Sequence, residues 1–335
     1  MRRHLGRWRM IRFVWALALS VAMLPAAWPQ QSWAQQGWPD KPIRVIVPLP
    51  AGSAVDVVGR LIMSKLGERL GQIMVVENRA GASGALASEA IAKAAPDGYT
   101  LGMATSTTHV TTAILNAKLP YDPVKDFAPV ALIGLVPFTL AVAPKLPANN
   151  LKELLALAKA KPKMLSYSSV GNASQAYLAT ELMSTMAGVE LNHVPYRTSS
   201  QAILDLAEGR IDITFGLLAT MLPLIKEGRI RALAVTTEKR TEDIPDVPTM
   251  AEAGLPGFEA SLWFAVVAPA ALPPAVLTRL NREINAILTE PEVKRVLSAQ
   301  AITVELRTPE ALRETIRVDI EKWRAIAAKA GVKPE

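Results

Sequence analysis

The chain has 335 residues, with 37 Lys and Arg against 30 Asp and Glu, three histidines and no cysteine. The absence of thiols excludes disulfide staples, thiolate metal sites and cysteine nucleophiles. Five positive charges stand in the first twelve residues (Arg2, Arg3, Arg7, Arg9, Arg12), and past residue 34 the balance is 32 basic to 30 acidic, which offers no basis for binding nucleic acid or a membrane surface.

That arginine-rich start leads into "FVWALALSVAML", Pro25 and the small-residue ending Ser32-Trp33-Ala34, the order of a secretory signal. The apolar run of about twelve residues is short of the ~20 that span a bilayer. Export, cleavage after Ala34 and a periplasmic location are therefore expected in preference to a membrane anchor. Arg2-Arg3 lacks the rest of a twin-arginine pattern, which favours general secretion. The 301 residues beyond Ala34 suffice for a large core and, at that size, usually divide into two domains.

From Pro42 onward, short β-branched runs alternate with longer helical spacing. Strands are predicted over 43–47, 74–77, 101–105, 165–168, 192–194 and 211–215. Helices are predicted over 55–70, 83–93, 174–187 and 200–208, with Gly209 where a helix-ending glycine belongs. Such alternation predicts an α/β fold of parallel sheets with helices on both faces. Two apolar, proline-punctuated stretches, "ALIGLVPFTLAVAPKLP" (131–147) and "ASLWFAVVAPAALPP" (260–274), hold no helix. They read either as ordinary central strands or as two crossings between lobes. Beyond Pro274 the spacing is nearly all helical, over 275–288, 292–299 and 308–330.

Five strand-to-helix loops share one chemistry: "PAGS" (50–53), "RAGASG" (79–84), "TSTTH" (105–109), "SSVGN" (168–172) and "YRTS" (196–199). Small and hydroxylic residues lead there into helix N-termini, whose unpaired N–H groups and partial positive charge suit an anion. Each loop alone also fits a simple cap. Together they outline a donor-lined crevice beyond the C-terminal strand ends. The candidate ligand-binding residues are Ala51, Gly52, Ser53, Ser83, Thr105, Ser106, Thr108, His109, Ser168, Ser169, Gly171, Asn172, Tyr196, Arg197 and Thr198.

The ordered blocks "KPIRVIVPLPAGSAVDVVGR", "VVENRAGASG", "APDGYTLGMATSTTH", "LPYDPVKDFAPVALI", "SYSSVGN", "HVPYR", "RIRALAVTTEKR" and "DVPTMAEAGLPGFEASLWFAVVAPA" resemble the Bug family, the periplasmic solute-binding receptors of tripartite tricarboxylate transporters. The resemblance runs from about Trp38 to Val332. It implies a two-lobed periplasmic-binding-protein fold, type II-like, that closes on a small carboxylate gripped by backbone amides, hydroxyls and ordered water. It also implies membrane transporter subunits as partners. Three motifs depart from the family pattern. Pro-Gly-Gly is replaced by Ala51-Gly52-Ser53. The Tyr-Lys-Gly motif is replaced by Tyr196-Arg197-Thr198, which gains a fork-shaped guanidinium suited to a second carboxylate. The Phe-Asp pair is replaced by Phe215-Gly216, which removes an acid and opens space and adds both residues to the candidate site.

Other features read more simply. Asp56, in a first helical turn, reads as a cap. Tyr196 and Trp263 fit either the cleft or the core. His109 and His193 have no spacing that makes a zinc site or a triad. "RAGASG" lacks the Gly-Lys-Ser/Thr of a phosphate loop, and "GASGA" misses the nucleophile-elbow spacing of a serine hydrolase. The sequence therefore reads as a non-enzymatic, cofactor-free and metal-free receptor, expected to be a monomer, for a di-/tricarboxylate or aromatic acid. Its expected division is lobe 1 over 35–138 and 262–335 with lobe 2 over 139–261. A sensor that hands its liganded form to a membrane signalling partner would share the same chemistry.

Overall fold

A computed structural model describes residues 37–171 and 174–332, with Pro334; the expected signal peptide (1–34) and Asn172 lie outside the described residues. Ten strands follow in chain order: β1 (Ile43–Val47), β2 (Met74–Asn78), β3 (Thr100–Thr105), β4 (Phe127–Val136), β5 (Phe138–Val142), β6 (Ser166–Ser169), β7 (Asn192–Pro195), β8 (Ile213–Leu217), β9 (Arg231–Val235) and β10 (Leu262–Pro269). They form two five-stranded sheets, ordered β2-β1-β3-β10-β4 and β7-β6-β8-β5-β9.

Both sheets are mixed, which corrects the expectation of parallel ones. β1 pairs in parallel with β2 and β3, whereas β10 runs antiparallel to β3 and β4. In the second sheet β6 is parallel to β7 and β8, whereas β5 runs antiparallel to β8 and β9. The exceptional strand of each sheet enters from the other one. β5 follows β4 after Pro137 alone, and β10 follows a chain segment that has just left β9. A strand delivered without a crossover helix is not bound to run parallel.

The helices are α1 (Ala54–Leu70), α2 (Ala85–Ala92), α3 (Thr112–Leu115), α4 (Leu151–Ala160), α5 (Gln175–Ala187), α6 (Ser199–Ala207), α7 (Leu218–Lys226), α8 (Pro274–Leu288), α9 (Pro291–Ala299) and α10 (Pro309–Lys329). In the first sheet Ile43, Val45 and Val47 on one face meet Val58, Ile62 and Met63 of α1 and Leu280 and Ile284 of α8 in a shared core. Each such side chain contributes roughly 1.5–3 kcal/mol when taken from water. α10 packs both on β4 and on α5, so it touches elements of both sheets. Its Asp319 accepts from Trp263 Nε1 at 3.1 Å, and Trp263 is a core residue of β10.

Candidate functional site

In the second sheet, β6 and β8 lie side by side in parallel register, Ser168 opposite Thr214. Their C-terminal ends therefore reach the same edge, where α5, α6 and α7 begin. A cavity of about 200 Å3 opens there. Its wall takes Ser168, Ser169 and Val170 from the end of β6, and Thr214 to Leu217 from β8. The helix starts add Ser174, Gln175 and Ala176, then Ser199, Ala202 and Ile203, then Thr220, and Phe138 of β5 completes it. No Asp, Glu, Lys, Arg or His belongs to this wall among the described residues. Three helix N-termini meeting at one cavity give it a positive local potential without a formal charge.

Hydroxyl chemistry fixes the wall. Ser168 Oγ and Thr214 Oγ1 hydrogen-bond across the two strands, both side chains buried. Ser174 caps α5, accepting from Tyr177 N–H at 3.2 Å and donating to the Gly171 carbonyl at 2.8 Å. Gln175 is 8% exposed, and its Nε2 has no hydrogen-bond partner among the described residues. An unpaired buried amide costs about 1–3 kcal/mol, a cost that a ligand oxygen would remove. A cap explains Ser174, and bonds to Ser168 and to the Leu217 carbonyl occupy Thr214 and Thr220; nothing of the kind explains Gln175.

The first sheet presents its own strand ends. Gly84 has φ +88°, and a Cβ there would stand 2.5 Å from Thr108 Cγ2 and 3.0 Å from Pro48 Cβ. The loops after β1, β2 and β3 thus converge on one hydrogen-sized gap. Ala82 and Ser83 also hold positive φ (46° and 54°), a strained turn of the kind found at binding loops. Ser83 and Ala51 are exposed. The hydroxyls of Ser53 and Ser106 are buried without a partner among the described residues.

Several candidates have structural duties instead. Gly52 N–H donates to Asp56 Oδ2 at 2.9 Å, so it is already satisfied. Asp56 also accepts from Arg60 Nε (2.9 Å) and Asn78 Nδ2 (2.8 Å). Burial opposes its ionisation, but these three donors outweigh it and hold the carboxyl below its ordinary range. Thr105 and Thr108 cap each other, N–H to Oγ1, at 3.0 and 3.2 Å. His109 does not reach a cleft. Its ring is fully buried against Phe127, Tyr121 and Trp263, with Nδ1 2.9 Å from Thr108 Oγ1. Burial lowers its pKa to about 3, so it stays neutral. The apolar surroundings of "TSTTHV" decide this, and no local spacing reveals it.

On the other side, Tyr196 donates to Asp205 Oδ2 at 2.7 Å and is not part of the cavity wall. Thr198 is the N-cap of α6, accepting from Gln201 N–H at 3.3 Å. Arg197 is exposed, has no ion pair among the described residues and stands outside the wall. Gly171 takes φ +97° just past Ser169. Phe215 stacks on Phe258 with centroids 6.0 Å apart. Gly216 does not simply open space: a Cβ there would meet Met221 Cε at 2.8 Å, so Met221 occupies what the absent acid would have filled. Gln175, Thr214 and Thr220 are wall residues that the sequence reading did not name, and Ser199 stood in the "YRTS" loop without being a candidate; Gln175 was within reach, because it directly follows the N-cap Ser174.

The sequence profile of the tripartite tricarboxylate transporter family receptor matches residues 58–332. The chain belongs to that receptor family. Its curated relatives include Protein BugT of Bordetella pertussis, 38% identical over 296 residues, which cover 88% of this chain and 91% of BugT. Among solved structures, R. palustris Rpa4515 with adipate is 37% identical, with a TM-score of 0.73, covering 89% of this chain and all of that one. MatC of Rhodopseudomonas palustris, solved with bound malate, is 32% identical, with a TM-score of 0.68 and coverage of 86% and 99%. The receptor's two mixed sheets flanked by helices are the periplasmic-binding-protein fold of these relatives.

The orphaned Ser53 hydroxyl gives a clean expectation for this receptor. Ser53 sits at the N-cap of α1 in extended conformation, yet its side chain makes no capping hydrogen bond. Ser53→Ala should therefore change stability by no more than about 0.5 kcal/mol. It should weaken ligand binding by about 1 kcal/mol if the hydroxyl serves the ligand. Denaturant titration beside calorimetry separates the two, and a stability loss near 1 kcal/mol with unchanged affinity would make Ser53 a cap after all.

Proposed function

We propose that the protein is an exported receptor that captures a small carboxylate between two lobes and delivers it to the membrane subunits of a tripartite transporter. Lobe 1 comprises 35–138 and 262–335, and lobe 2 comprises 139–261, with export cleaving after Ala34. The observation that carries this reading is the cavity of the second sheet: three helix starts, an unpartnered Gln175 amide and no charged wall residue. Such a site favours an anion over a cation, and the receptor is read as binding its ligand without chemistry, as a monomer. The relatives solved with adipate and malate support a carboxylate. Ser53 and Ser106 are the lobe 1 donors that would meet the ligand on closure.

A thermal-shift screen of mono-, di- and tricarboxylic and aromatic acids tests this reading. Ligand at about 100 times its Kd stabilises the folded state by about 2.7 kcal/mol, a clear rise in Tm. Amines and neutral analogues should give none. A panel in which no acid shifts the transition, or in which a bound acid is turned over beyond stoichiometry, refutes the proposal.

A further inference from the structure

Ser169 of the cavity wall has a titratable neighbour behind it. His193 lies on β7 opposite Tyr167, and its Nε2 is 2.7 Å from Ser169 Oγ. The same hydroxyl is 3.1 Å from the Gly171 carbonyl. The imidazole stacks on Tyr167 (4.9 Å, 30°) and meets Tyr177 edge-on (5.0 Å, 68°). Glu181 of α5 is linked to this cluster through the Tyr167 hydroxyl, 2.7 Å away. Other charges near β7 include the Lys163–Glu190 pair at its start, Asp212 held by Ser166 of β6, and, beyond its end, the exposed Arg197 and Asp205, which accepts from Tyr196 and pairs with Arg210. No carboxylate bonds to the ring among the described residues.

We propose, on the reading that this cavity holds a carboxylate, that His193 is a positioning residue that couples anion capture to proton uptake through Ser169. A serine hydroxyl has one proton to give. With Nε2 unprotonated, the ring takes that proton's hydrogen bond and leaves oxygen lone pairs as the group that Ser169 can turn to a ligand, which repels an anion. The neutral Nε2–H tautomer and the imidazolium both donate to Oγ and release the Ser169 O–H to the Gly171 carbonyl or to a carboxylate, but only the imidazolium has taken up a proton and carries positive charge. The imidazolium charge behind the wall adds attraction through a medium less polar than water.

Burial lowers the His193 pKa, so the empty site favours the neutral ring near neutral pH. A bound anion raises it again. A group whose pKa is higher in the bound than in the free form takes up a proton on binding. Affinity is then greatest at low pH and falls as pH rises through the bound-form pKa.

The test is calorimetric titration with benzoate, adipate and malate at about pH 7 in buffers of different ionisation heat. Wild type should take up a fraction of a proton more than His193→Gln does. It should bind roughly threefold or more tighter at about pH 6 than at about pH 8, a gain the variant lacks. A second readout needs no variant: in 13C-histidine-labelled wild type, NMR should show the His193 titration moving to higher pH when the bound acid is saturating. An unmoved titration together with proton uptake equal to that of His193→Gln overturns the coupling while carboxylate binding stands. Failure of the whole acid panel, benzoate, adipate and malate included, to bind at any pH removes the binding reading, and the coupling with it.

Discussion

Gln175→Glu is expected to weaken carboxylate binding by roughly ten- to hundredfold at neutral pH, about 1.4–2.8 kcal/mol, while the protein stays folded. The substitution keeps shape and replaces an unpartnered amide with an acceptor-only group at the start of α5. Two like charges about 4 Å apart at an effective dielectric near 20 repel by about 4 kcal/mol, an upper figure that protonation of the new acid and rotation reduce. The loss should therefore shrink as pH falls and the glutamate protonates. The helix itself tolerates the change, because a carboxylate in the first turn opposes the dipole's positive end and stabilises it by a few tenths of a kcal/mol. Calorimetry with the best acid from the screen, checked by circular dichroism, measures both effects. A folded variant with wild-type affinity would show that the amide does not face the ligand.

Gly84→Ala is expected to cost about 2–5 kcal/mol of stability. Roughly 1–2 kcal/mol comes from forcing a Cβ into the left-handed region at φ +88°. A further ~1–3 kcal/mol comes from overpacking, because neither obstacle yields easily. Thr108 is held by hydrogen bonds with Thr105, and Pro48 is a rigid ring. Gly52→Ala supplies the comparison: its φ is +82°, but a Cβ there meets nothing within 4 Å. It should show only the conformational cost. Denaturant midpoints of the two variants isolate the steric part, and equal costs would mean that the three loops part without penalty.

Much of the fold was written in local spacing. The short apolar runs at β1, β3 and β8 and the capped starts of α5 and α6 are readable because their signals lie within a few residues. What local spacing does not carry is partnership across the chain. The antiparallel places of β5 and β10 depend on which sheet each strand joins. α7 was missed because it follows β8 with no polar cap, so "ITFGLLATMLPLIK" runs apolar from strand into helix. The candidate site divides the same way. Ser168, Ser169, Phe215 and Gly216 reach the cavity because strand ends of a parallel pair must share an edge. His109 carries the same donor-loop signature, yet Phe127 and Trp263, distant in sequence, close over it. The Gly52 amide was committed to Asp56, a contact that four-residue spacing permits without requiring.

The position of β10 bears on the order in which the molecule can be made. It fills the place between β3 and β4, yet it is the last strand of the chain. Until Leu262 and its followers arrive, β3 and β4 each carry a row of unanswered N–H and C=O groups on strands whose side chains are almost wholly buried in the finished fold. The first sheet therefore cannot close until β10 has been made, and its completion waits on contacts distant in sequence, which slows folding. A product truncated between Val235 and Leu262 would hold every strand of the second sheet but leave the first one open. Its β3 and β4 would be sticky apolar edges seeking the strand they lack, in the chains around them.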